Sequence, residues 1–357
     1  LATDPYMFSF FRFLGGVGVG ASTVAAPTYI SEISSAKSRG RLVALYQFNI
    51  VFGILIAFIS NYLLDGVGGS NDWRWMLGIE ALPAALYCLL IPGIPNSPRW
   101  LMVERGDAAG ALQTLQLLHG DEASGKIELD TIKAHQSEKE ASGSVFSGKY
   151  NKCLLLAFLL AFFNQLSGIN FILYYAPVIL ENAGFASSDS LLSSISIGGT
   201  NLIFTFVGLY LIDRMGRKSL MYIGSVGYII SLAMVAYGFK TEASAGFNLL
   251  FILTFIASHA VGQGAVIWVF ISEIFPNSVR AAGQAWGTGT HWVFAALITM
   301  LGEVVIEAFP GWTVFAFFAA FMALQLLFTH FMMPETKGVS LEELQDQLTA
   351  KDASIQL

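Results

Sequence analysis

From Cys153 to Leu180 the chain runs for 28 residues without an Asp, Glu, Lys or Arg. A helix of that length crosses the hydrocarbon core of a bilayer with room to tilt. It is one of nine apolar runs of spanning length. The others lie at about 6–30, 43–64, 75–94, 191–212, 219–239, 247–272, 282–302 and 311–333. In lipid every backbone N–H and C=O must find a partner within the protein, and a helix does this segment by segment. The predicted fold class is therefore an all-α polytopic membrane protein. Composition agrees, with 55% hydrophobic and 12% charged residues against about 25% charged in soluble domains. The net charge of −6, with no basic patch interleaved with aromatics, argues for a lipid bilayer and no nucleic acid as partner. Cys88 and Cys153 make neither a disulfide framework nor a metal site, and no HExxH or paired-Cys motif occurs. No metal and no cofactor is expected. Gly16–Ala21 fits a dinucleotide fingerprint in form, but it lies inside an apolar run, where small residues serve close helix packing.

Basic residues orient the runs. The connections 31–41, 98–152, 213–218 and 273–280 and the tail from 334 hold 16 of the 19 Lys and Arg, which makes that side cytoplasmic. The polar stretch 98–150 contains ALQTLQLL and IELDTIKAH, expected as short amphipathic helices outside the membrane. An internal repeat is visible. Ser31-Glu32-Ile33 precedes Arg39, and Ser272-Glu273-Ile274 precedes Arg280, at the same Glu-to-Arg spacing. Two runs follow each copy, ending in Pro95-Asn96-Ser97-Pro98-Arg99 and in Pro334-Glu335-Thr336-Lys337-Gly338. Three further runs precede the second copy and none the first, so the expected parent has six plus six, with three N-terminal spans missing here. The expected domains are a partial N-terminal transmembrane half over 1–97, a cytoplasmic helical linker over 98–150, a six-helix half over 151–333 and a cytoplasmic tail over 334–357.

Inside the 28-residue run sits FNQLSGINFILYYAP, with Asn164, Gln165, Asn170, Tyr174 and Tyr175 at membrane depth. Gly168 and Pro177 are weak points in its helix. Gln165, Asn170 and Tyr174 can share one broad helical face. Carboxamides donate and accept without charge, which suits a neutral polyhydroxylated ligand; helix–helix glue is the competing reading.

Two parallel halves of inverted threes form the major-facilitator plan, and seven stretches in order resemble its sugar porters, the hexose and pentose transporters. They are Arg12–Gly16, Glu32 with Arg39-Gly40, Pro95–Trp100, Gln165–Asn170, Asp213–Lys218, Glu273 with Arg280, and Pro334–Gly338. The resemblance runs from the fourth of twelve spans to the end of the chain, so about nine of twelve transmembrane helices of a major facilitator fold are expected. It implies sugar contacts at Gln47, Gln165, Asn170, Tyr174, Asn201 and Trp268, the indole covering the apolar face of the ring. Tyr174 and Tyr175 serve either as gate or as packing. Asn164 departs from the family's glutamine pair by one methylene. His291, before Trp292, stands where a carboxamide is usual, and Ile54 where some pentose carriers have Gln. These departures leave the particular sugar open. Asn164, His291 and Trp292 complete the expected substrate-binding set.

Glu32, Arg39, Asp213, Arg217, Glu273 and Arg280 recur at run ends in both halves. The resemblance implies a cytoplasmic gate that pairs them across the halves. Exposed pairs contribute about 0–1 kcal/mol each, suitable for a gate that reopens. Arg12 lies within a run, and a cation at that depth calls for a partner. Glu80 is the carboxylate well inside the same half. In proton-coupled sugar porters such a pair, with a first-span carboxylate, serves coupling, so Arg12 and Glu80 are the expected proton-coupling residues; simple neutralisation of Arg12 is the alternative. The expected function is secondary transport of a monosaccharide by alternating access with proton symport, in the plasma or inner membrane and as a monomer. A facilitative sugar or polyol uniporter and a non-transporting sugar sensor share the pattern. The intramembrane ionisable residues show no nucleophile–base spacing, so no enzyme is expected.

Overall fold

The structure, a computed structural model, describes residues 4–33, 39–140, 144–276, 279–339, 344 and 347–348. Helices dominate, and no β-strand occurs among the described residues. In chain order they are α1 (Pro5–Ile33), α2 (Arg39–Leu64), α3 (Asp72–Gly78), α4 (Ala81–Leu90), α5 (Pro98–Val103), α6 (Ala108–His119), α7 (Glu122–Glu140), α8 (Asn151–Leu166), α9 (Ile169–Tyr174), α10 (Ala176–Asn182), α11 (Ser187–Met215), α12 (Arg217–Lys240), α13 (Ala245–Val261), α14 (Gln263–Glu273), α15 (Arg280–Ala308) and α16 (Gly311–Phe331). Among the described residues eight helical stretches are long and apolar enough to cross a membrane: 45–64, 69–93, 151–174, 187–215, 217–240, 245–273, 280–308 and 311–331. The remaining expected run, 6–30, forms α1.

Three of these runs are interrupted, each for a local reason. Pro83 sits at the third position of α4, and its ring would clash with the carbonyl four residues back, at Ile79. The chain breaks at Ile79–Glu80 and restarts as α4. The run from 153 to 180 turns at Gly168, which adopts φ +84° and where a Cβ would stand 2.6 Å from the Phe318 ring. Both the left-handed backbone and the space demand glycine there. Pro177 opens α10 after a second break at Tyr175. The third interruption is at Gly262, between α13 and α14, where ψ is −105°.

Two compact units divide the chain, residues 1–49 with 82–142, and residues 50–81 with 143–357. In the first, the polar stretch forms α5, α6 and α7, as its amphipathic pattern predicts. Ser97 caps α5 by accepting from the Trp100 N–H at 3.2 Å, with Pro98 at the first helical position. Asp107 caps α6 by accepting from Gly110 N at 2.8 Å. Ala111, Leu115 and Leu129 form a small core between α6 and α7, flanked by Leu101 and Met102 of α5. Within this unit Tyr29 of α1 donates to the Pro95 carbonyl at 2.7 Å.

The second unit holds one continuous apolar core. Leu156, Leu160, Ile172, Leu220, Phe255, Phe270 and Phe315 are buried in it. α12 packs against α13 and α16, α11 against α13, and α8 against α15. The last part of α2 belongs here too, with Leu55 and Phe58 lying against the bare face of Gly198 on α11. Burial of this apolar surface does not by itself hold such helices together in lipid, so small residues and interhelical hydrogen bonds carry much of the specificity.

Candidate functional site

The Gly168 turn decides the site. A straight helix through 153–180 would set Asn170 on the same broad face as Gln165. The helix breaks at Gly168 instead, and the two carboxamides, one on α8 and one on α9, bond directly across the break. Asn170 Nδ2 donates to Gln165 Oε1 at 2.9 Å. Gln165 is fully buried and Asn164 nearly so. Gln165 Nε2 donates to Asn164 Oδ1 at 3.0 Å. The same nitrogen lies 3.1 Å from His291 Nδ1 and 3.2 Å from His291 Nε2, on α15. Whichever ring nitrogen lacks a proton accepts from it. The Trp268 ring of α14 stands 4.9 Å from the His291 ring, centroid to centroid. Four separate elements (α8, α9, α14 and α15) thus supply one polar cluster with an aromatic wall.

Asn201 is buried on α11 and Trp292 is half-turned outward on α15. Tyr174 is 59% exposed, whereas Tyr175 faces inward and donates to the Thr299 carbonyl at 2.9 Å. Gln47, half-buried on α2, belongs to the first compact unit. Of the two expected coupling residues, Arg12 lies in the first unit and Glu80 in the second, at the break that Pro83 imposes.

A second polar group gathers where α11, α12, α14 and the segment after α16 meet. Arg217 Nη2 and Nε hold the two oxygens of Glu273 at 2.7 and 3.1 Å, a bidentate pair. Arg217 Nη1 reaches Asp213 Oδ1 at 3.4 Å. Thr336 donates to Glu273 Oε2 at 2.5 Å. Glu335 accepts from the backbone N–H groups of Arg217 (2.9 Å) and Lys218 (3.0 Å), capping α12. Arg280 bonds the Phe275 carbonyl at 3.2 Å rather than a carboxylate. In the first unit Glu32 accepts from Ser97, and the side chain of Arg39 lies outside the described residues.

Comparison with known proteins places this arrangement. The family model described as sugar (and other) transporter matches residues 1–348. The chain belongs to the sugar transporter family. Within it, a putative metabolite transport protein of Bacillus subtilis, YwtG, is 34% identical over 356 residues, covering 99% of this chain and 77% of that protein. The D-xylose-proton symporter of Escherichia coli K12 is 33% identical over 360 residues, covering 95% and 71%. A structure of the proton:xylose symporter XylE bound to 6-bromo-6-deoxy-D-glucose superposes with a TM-score of 0.79 at 32% identity, covering 96% of this chain and 74% of that one. The inward-open xylose transporter XylE from E. coli gives 0.81 at 31%, covering 96% and 73%. The fold of this sugar transporter is the major facilitator fold, multi-pass in a membrane.

Two features of this family member escaped the sequence reading. One is the hydroxyl partner of each repeated glutamate. Ser97 and Thr336 are the third residues of matched segments that begin Pro95 and Pro334, and aligning the copies would have paired them. The other is a buried chain of side chains, Ser225, Gln325, Gln263, Tyr228 and His259, joined by hydrogen bonds. Four helices supply it, and no spacing in the sequence marks such a set.

Proposed function

We propose that the protein is a secondary transporter that carries a monosaccharide across the plasma or inner membrane by alternating access, coupled to protons. The observation that carries this reading is the buried carboxamide cluster. Asn164, Gln165 and Asn170, with the His291 ring and the Trp268 wall, offer uncharged donors and acceptors beside an aromatic face at membrane depth. That chemistry matches sugar hydroxyls above and the C–H face of a pyranose beside them. Relatives named as xylose, galactose and arabinose proton symporters share about a third of its residues over most of its length. Asn201, Tyr174 and Trp292 complete the proposed sugar contacts in this unit, and Gln47 is kept on the sequence resemblance alone. For proton coupling the proposal keeps Arg12 and Glu80 on the sequence argument alone. The stretch 98–150 and the tail from 334 then face the cytoplasm, and the unit of function is a monomer.

The test is counterflow of labelled D-xylose, D-galactose and L-arabinose in proteoliposomes, with external pH recorded. At least one sugar is expected to exchange and to drive alkalinisation that a protonophore abolishes. Gln165→Leu leaves Asn170, Asn164 and His291 each short of a partner. Leaving a buried group unpaired costs about 1–3 kcal/mol, so affinity should fall more than tenfold. Binding without exchange would make the protein a sensor. Exchange insensitive to pH and to Glu80→Gln would make it a facilitative carrier.

A further inference from the structure

α13 and α14 belong to one 29-residue stretch, Ala245–Glu273, broken at Gly262. A helix break in a membrane frees backbone groups, and it is tolerated only where protein surrounds it. Here α11 and α12 close on it. A Cβ at Gly208 would stand 2.6 Å from the Ala260 carbonyl, and one at Gly224 would stand 2.9 Å from Gly262 Cα. One turn beyond Gly224, Tyr228 is fully buried against the same break.

Its hydroxyl touches both half-helices. Tyr228 Oη lies 2.7 Å from His259 Nδ1, three residues before the break, and donates to Gln263 Oε1, one residue after it, at 3.4 Å. A phenol carries one proton, so with that proton on Gln263 the imidazole Nδ1–H donates to Oη. Behind Gln263 the chain continues. Gln263 Nε2 donates to Gln325 of α16, and Gln325 Nε2 donates to Ser225 Oγ at 2.8 Å. Ser225 lies three residues before Tyr228, so the hydrogen bonds leave α12, pass through α16 and α14, and return to α12. Ser225, Tyr228, Gln263 and Gln325 all have no exposed surface. A buried network so completely joined allows one arrangement of its helices.

α14 is the element so fixed, and it has a load at each end. Trp268, five residues beyond Gln263, forms the wall against His291. Glu273 at its last turn takes the bidentate Arg217. We infer that Tyr228 and Gln263 are positioning residues, a clamp across the Gly262 break that sets α14 and thereby holds the Trp268 ring beside the carboxamide cluster. Its link to ligand affinity rests on the sugar reading; the clamp itself does not.

The experiment therefore has two arms on the purified full chain in nanodiscs. The first uses no ligand. Tyr228→Phe removes only the hydroxyl, and hydrogen exchange is followed in peptides covering 259–268. Exchange there is expected to rise at least about fivefold, the factor that one lost buried hydrogen bond implies, with α8 and α11 peptides unchanged. Gln325→Met cuts the far side of the chain and serves as the second variant; it should raise exchange in the same peptides. Unchanged exchange at 259–268, or a uniform rise over the bundle, overturns the clamp. The second arm measures D-xylose affinity. Tyr228→Phe should weaken it about fivefold in the native background and less than about twofold when Trp268 is already Ala, because coupled residues are not additive. Equal losses in both backgrounds overturn the action through Trp268. If D-xylose, D-galactose and L-arabinose all fail to bind the unaltered protein, the sugar reading fails, and the exchange arm still decides the clamp.

Discussion

The repeated Ser-Glu-Ile element ends in two settings. In the first copy the Glu32 carboxylate accepts from Ser97. In the second, Glu273 accepts from Thr336 and is also gripped at both oxygens by Arg217. The hydroxyl is what the copies share, and it comes from the same place in the matched segments. Among the described residues, the arginine partner is seen at the second copy. Its side chain is only 10% exposed while that of Glu273 is 25% exposed, so the guanidinium is the more withdrawn from water of the two. A hydroxyl fixes where a carboxylate sits; a mostly buried cation adds charge to what the carboxylate must answer, a demand that Asp213 shares. The neighbouring residue differs too. Glu335 caps α12 in the second copy, and the neutral Asn96 holds that place in the first.

The largest effect should come from Glu273→Ala. Removing one partner of a fully buried pair costs about 3–5 kcal/mol, and this part-buried pair, whose Arg217 keeps Asp213 at 3.4 Å, should approach that figure from below. Glu32→Ala loses a hydrogen bond to a charged group, about 1.5–3 kcal/mol. Thermal unfolding in detergent should separate the two variants clearly, and equal falls in midpoint would break the comparison. Next comes Glu335→Asn, which converts the second copy toward the first. It withdraws the acceptor from Arg217 N and Lys218 N, and a lost helix cap costs about 1–2 kcal/mol. Asn96→Glu in the first copy should bring no matching gain; a stabilisation of similar size would show that the two places are equivalent. Smallest are Thr336→Val and Ser97→Ala, each at the low end of the about 1.5–3 kcal/mol of a hydrogen bond to a charged group, because the partly exposed carboxylate left behind can turn to water. Ser97→Ala should be the larger of the two, since that oxygen also caps α5. The reverse order would assign the cap little weight.

The spanning helices were legible because an apolar run of about twenty residues leaves the backbone one way to satisfy itself in lipid. The break at Gly168 was legible as a weak point, but its geometry was not. Whether glycine bends a helix depends on what presses against it, here Phe318 from a helix 150 residues further on. The Pro83 break was readable from the ring's clash with Ile79, a local effect, yet it went unread inside an apolar run. Gln165, Asn170, Trp268 and His291 come together across four elements. Residue type and depth pointed to each of them singly, while their mutual distances depend on packing. Arg217 as the partner of Glu273 was similarly hidden. The even Glu-to-Arg spacing drew attention to Arg280, which turns back to its own chain at Phe275. Spacing along a chain ranks neighbours in sequence, and the pair that forms is 56 residues apart.

The self-bonded state of Gln165 has a thermochemical consequence. Its carbonyl already accepts from Asn170, and its amino group already serves Asn164 and His291. On the proposed sugar reading, a hydroxyl arriving there trades one hydrogen bond for another of the same kind, so the heat of the polar contacts largely cancels. Calorimetry should then find a small enthalpy, with the driving force coming from water released off the Trp268 face and a negative heat-capacity change. Such a site has no deep energy well to hold its cargo. Loading and unloading become reactions of similar height, and a carrier that must let go on the far side works best between two nearly level states.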